Sequence, residues 1–96
     1  MKRYRTQPKI IGDVLRTAAL MGSEGKGLGV TALLRECNMP YTRLAELLSQ
    51  LVGAGLLARV DEEGEHPSYA ITPKGREYSE KWSNFEELAE SFGLRL

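Results

Sequence analysis

Residues 31–57 read TALLRECNMPYTRLAELLSQLVGAGLL, and this stretch decides the fold. Leu33 and Leu34 belong to a short helical run that gives out at Asn38, a residue that tolerates helix-ending geometry. Thr31 is placed to cap the start of that helix, because its hydroxyl can accept a bond from a free backbone N–H. Met39-Pro40 then makes a turn, and Pro40 suits the opening of the next helix. There Leu44, Leu47, Leu48 and Leu51 fall on one face of a helix, which stops at Gly53-Ala54-Gly55. The stretch thus predicts two helices joined by a tight turn, the second over 40–53.

Upstream, Pro8 suits the first turn of a helix over 8–21, with Ile10, Ile11, Val14, Leu15, Ala18 and Leu20-Met21 at helical spacing. Residues 22–29 hold four glycines in eight positions and read as a loop, with Leu28 in a very short strand. The loop is no phosphate cradle, because Lys26 is followed by Gly27 and the segment before it is a helix rather than a buried strand. Downstream, Leu56-Leu57-Ala58-Arg59-Val60 and Ser68-Tyr69-Ala70-Ile71 read as strands joined by the polar turn Asp61–Glu65, which contains Gly64. Thr72-Pro73 is a cap and first position for a last helix. The order helix, helix, turn, helix, hairpin, helix is that of a winged helix-turn-helix: mainly α, with a small β-hairpin. The chain divides into a basic arm (1–7), the winged helix-turn-helix domain (8–72) and an extended C-terminal dimerisation helix (73–96).

Ninety-six residues, 42% of them apolar and 27% charged, suit one globular domain with a modest core. No apolar run approaches the ~20 residues of a membrane span. The start Met1-Lys2-Arg3-Tyr4-Arg5 has no apolar stretch behind it, so a soluble, cytoplasmic protein is expected. A single cysteine, Cys37, excludes an internal disulfide, and with one histidine, His66, no ordinary structural zinc site is expected. Cys37 lies in an apolar helical stretch and reads as a buried, inert thiol. A Cys37/His66 nucleophilic pair has no supporting motif, and the carboxylates lack a paired base, so neither enzyme chemistry nor a cofactor is expected. The net charge of zero is unevenly spread. Lys2, Arg3, Arg5 and Lys9 crowd one end, while Asp61, Glu62, Glu63 and Glu65 load the hairpin turn and Glu77, Glu80, Glu86, Glu87 and Glu90 the last helix.

The run from Thr31 to Leu57, the turn Asn38-Met39-Pro40-Tyr41 and the return Tyr69-Ala70-Ile71-Thr72-Pro73-Lys74-Gly75 resemble an archaeal winged-helix family. That family includes small dimeric DNA-binding proteins of chromatin type and many predicted transcriptional regulators. The resemblance covers roughly residues 9–92. It implies a homodimer bound to double-stranded DNA, paired through the last helix. Members commonly carry basic residues beside the threonine that opens the second helix; here Val30 and Ala32 flank it. Pro40 stands where serine is usual.

With the leucines inward, the third helix turns Thr42, Arg43, Glu46, Ser49 and Gln50 outward, next to Tyr41 at its start. In a helix-turn-helix this face enters the major groove, where Arg43 can read a guanine and Gln50 an adenine, and Thr42 and Ser49 suit phosphate or base contacts. Lys2, Arg3 and Arg5 form a basic arm, and Arg59 and Lys74 are candidate phosphate contacts. A solvated polar helix face and a solubilising terminus are the alternatives. Tyr78, Trp82, Phe85, Ala89 and Phe92 are spaced 4, 3, 4 and 3, with Leu88 beside them, which is a heptad seam for a two-fold dimer. The alternative is that the seam packs back on the first helix, and part of it can lie against its own domain even in a dimer. The competing function is a protein-interaction module, in which the acidic wing and the aromatic helix hold a protein partner and DNA is not touched.

Overall fold

In the computed structural model the described residues are 6–22, 27–60 and 67–96, so residues 1–5 of the basic arm, the acidic turn and His66 lie outside them. Helix α1 (Gln7–Met21) starts one residue earlier than expected, where the Thr6 hydroxyl accepts from the Lys9 N–H. Ile10, Val14, Leu15 and Ala18 are buried as its core face, with Ile11 packed at the margin. Leu20 and Met21, expected on that face, are exposed because the helix ends beyond the edge of the core.

Strand β1 (Leu28–Gly29) leads directly into α2 (Val30–Cys37). The cap expected at Thr31 is instead Gly29, and Thr31 is an exposed residue inside the first turn. The cause is sheet pairing: Leu28 lies opposite Tyr69 and Gly29 opposite Ser68, so the backbone stays extended through Gly29 and the helix starts immediately after it. Asn38 ends α2 with φ 50° and ψ 58°, the left-handed geometry its side chain tolerates.

Helix α3 (Tyr41–Gly53) follows Pro40, which caps it as an extended residue. Gly55, at φ 80°, turns the chain into β2 (Leu57–Val60), and β3 (Ser68–Ile71) returns. The sheet has three antiparallel strands in the order β1-β3-β2, so the very short strand expected at Leu28 joins the predicted hairpin. Helix α4 (Pro73–Ser91) is capped by Thr72, whose hydroxyl accepts from the Gly75 N–H at 3.0 Å and donates to the Gly55 carbonyl at 2.6 Å. One side chain therefore fastens the start of α4 to the turn that ends α3.

Leu15, Leu33, Leu44, Leu48, Leu57 and Val14 are fully buried at the centre, each worth roughly 1.5–3 kcal/mol of apolar burial. Cys37 lies in this core with its Sγ 3.8 Å from Thr17 Oγ1, a buried thiol as expected. No described helix is long and apolar enough to cross a membrane.

Candidate nucleic-acid interface

The two sides of α3 separate cleanly. Leu44, Leu47, Leu48 and Leu51 are buried, while Tyr41, Thr42, Arg43, Glu46, Ser49 and Gln50 are exposed. The first turn of α3 carries no acidic side chain, and Pro40 supplies no side-chain cap to its N–H groups. That end of the helix therefore offers uncompensated backbone donors beside Arg43, an arrangement that suits an anion.

Arg59 is exposed on β2, opposite Tyr69 in the register. Because side chains alternate along a strand, Arg59 shares a sheet face with Tyr69 and with the buried Leu57, and Leu28 of β1 extends the same row. This is the face that looks onto the helices. Tyr69 and Pro67, at the outer end of the hairpin, line a common cleft with Tyr41. The start of α3 and the outer part of the wing thus converge on one side of the domain.

Lys74 does not join them. It is exposed in the first turn of α4 at the base of the hairpin, and a Cβ added to Gly55 would lie 3.6 Å from its Cδ. Lys74 therefore stands beside the C-terminal end of α3, about 18 Å along the helix from Tyr41 at 1.5 Å per residue. Lys2, Arg3 and Arg5 lie outside the described residues.

The aromatic residues of α4 are divided between two sides. Trp82 packs against α1 at Gly12, where a Cβ would run into indole Cδ1 and lie 2.7 Å from Nε1. Tyr78 is half-buried, donates to the Pro8 carbonyl at 3.3 Å, and burial pushes its phenol pKa up. Ala89 is buried within its own chain. Phe85, Leu88 and Phe92 are 51%, 55% and 74% exposed, with the Phe85 ring 5.8 Å from that of Trp82. Lys9, counted in the sequence with the basic end, is committed elsewhere: its Nζ lies 2.8 Å from Glu86 Oε2 and ties α1 to α4. That part of the seam packs on its own domain is the alternative the spacing leaves open; which residues turn inward is not readable from the spacing. The one sequence signal of this packing is Gly12, since a glycine inside a helix costs about 1 kcal/mol and invites a packing reason.

A helix-turn-helix followed by a sheet wing, with a polar outer face on its second helix, defines the winged-helix class. The profile of the winged helix-turn-helix family matches residues 4–90, and the chain belongs to that family. Among solved structures it is similar to Sso10a-2, a DNA-binding protein from Sulfolobus solfataricus, at 25% identity and a TM-score of 0.78 over 92% of this chain and 85% of that one. AF1382 from Archaeoglobus fulgidus shares the fold at 13% identity and a TM-score of 0.70, over 88% of this chain and 91% of that one. MepR, a transcription regulator of the Staphylococcus aureus multidrug efflux pump MepA, does so at 19% identity and a TM-score of 0.69 over 86% of this chain, which spans 61% of MepR. No curated protein sequence matches the chain. The fold is the winged helix-turn-helix that these three proteins share.

Proposed function

We propose that this chain binds double-stranded DNA as a homodimer, each protomer presenting α3 to a major groove, in transcription regulation or chromatin organisation. The observation that carries this reading is the exposed polar face of α3, with Arg43 at its open N-terminal end, beside the wing. The likeness to Sso10a-2 supports it. Arg43 and Gln50 would address base edges, Tyr41, Thr42 and Ser49 the groove wall or phosphates, and Arg59 with the arm residues Lys2, Arg3 and Arg5 the flanking backbone. Lys74 would reach only phosphates beyond the other end of α3. Phe85, Leu88 and Phe92 supply an unpartnered apolar stripe for the dimer.

The test is fluorescence anisotropy of a labelled mixed-sequence duplex with the intact chain and with Arg43→Ala. Removing a guanidinium that reads a base edge weakens binding by about 1–3 kcal/mol, at least several-fold. Duplex binding untouched by Arg43→Ala and by Gln50→Ala would remove α3 from the interface. The zero net charge favours a second reading, a protein-interaction module using the acidic wing and the α4 stripe. Absence of duplex binding would leave that reading standing.

A further inference from the structure

A cavity of about 550 Å³ opens between the start of α2, the near side of α3 and the wing strand β3. The two-residue strand β1 holds the start of α2 close to β3, and the small side chain of Ala45, one turn after Tyr41, leaves room that a larger residue would fill. Val30, Leu34 and Ala45 supply apolar surface, Tyr41 and Tyr69 supply aromatic rings, and Thr31 adds a hydroxyl. The volume falls within the roughly 300–1,000 Å³ of small-molecule sites.

We infer that this cleft is a binding site for a small, uncharged aromatic molecule carrying an amide, carbonyl or hydroxyl group. No charged side chain lines it among the described residues, whereas the grooves beside α4 are lined by Lys9, Glu86, Glu90 and Arg95 or by Arg16 and glutamates. An ionised guest would give up hydration in the cleft without gaining a charged side chain among the lining residues as its counter-charge. A flat ring gains from the two tyrosine rings, which favour offset or edge-to-face neighbours. Thr31, Tyr41 and Tyr69 each carry a hydroxyl that can donate to or accept from a neutral polar group on the guest. The occupant touches the first turn of α2, the first turn of α3 and the wing together, and so fixes their relative position. The site does not depend on the DNA reading.

The experiment is a titration of the full chain with benzamide, and separately with the isosteric anion benzoate, followed in two-dimensional amide NMR spectra. Benzamide should give saturable shifts in the millimolar range, the affinity of a fragment-sized ligand, centred on Gly29, Thr31, Tyr41, Ala45 and Tyr69. Benzoate should bind at least about tenfold more weakly. Ala45→Leu should abolish the response while leaving the amide spectrum elsewhere in place, and the exposed Tyr41→Ala should weaken it. Shifts that do not saturate, that lie away from the cleft, that persist in both variants, or that benzoate matches would overturn the inference.

Discussion

Gly12 sets how closely α1 and α4 approach, because the Trp82 indole occupies the space a Cβ would need. Among the described residues Trp82 Nε1 is buried there without a hydrogen-bond partner, so the indole itself meets α1 by packing. Overpacking of this kind costs about 1–3 kcal/mol. In Gly12→Ala, the gain of about 1 kcal/mol in helix propensity offsets part of that cost. Gly12→Val has less to offset it, and its larger side chain must displace the indole. We expect Gly12→Val to lower the thermal midpoint by several degrees, at about 4–8 °C per kcal/mol for a domain of this size. Trp82 emission should shift to the red as the ring is pushed into water. An unchanged midpoint and emission in Gly12→Val would show that α4 does not pack here. At this scale the sequence is readable where chemistry is local: Asn38 ends α2 and Thr72 caps α4 from their own neighbourhoods. Thr31 is not the cap its neighbourhood suggests, because the pairing of Gly29 with Ser68 comes from across the chain.

Among the elements, α4 carries the most consequential division. The heptad spacing of its apolar residues is visible in the sequence, but the crossing with α1 decides which of them pack at home. Tyr78, Trp82 and Ala89 turn inward, while Phe85, Leu88 and Phe92 form an adjoining stripe open to solvent. Exposed apolar groups three and four residues apart on a helix make one continuous strip, the pattern of a helix that pairs with another. Phe85→Ser with Leu88→Ser should therefore turn a dimer into a monomer in sedimentation equilibrium, with helical circular dichroism kept because neither residue belongs to the core. A parent chain that sediments as a monomer at every concentration, or a double variant that stays dimeric, would contradict this use of the stripe. Helix α3 shows the simpler case, since its leucine spacing alone separates the buried face from the polar one.

For the whole molecule, the succession of helices and strands is legible because each boundary has its own turn chemistry, from Met39-Pro40 to Gly53-Ala54-Gly55 and Thr72-Pro73. A short strand at Leu28 is legible as well, but its place in the sheet and the cleft beside it are not, since both depend on Leu28 meeting Tyr69 far along the chain. Net charge is likewise a poor guide here. The sum is zero, yet α3 opens with Arg43 and no acid in its first turn, while glutamates gather on α4. A protein that binds DNA through such a local surface must still release counterions, about 0.9 in log–log slope per phosphate neutralised. The most direct measurement is the salt dependence of binding to a mixed-sequence duplex, for the intact chain and for Lys2/Arg3/Arg5→Ala. The account predicts affinity falling with a slope of several units, and a shallower slope once the arm is removed. Absence of binding even near about 50 mM salt, where electrostatic association is strong, would contradict a DNA-binding role for this winged helix.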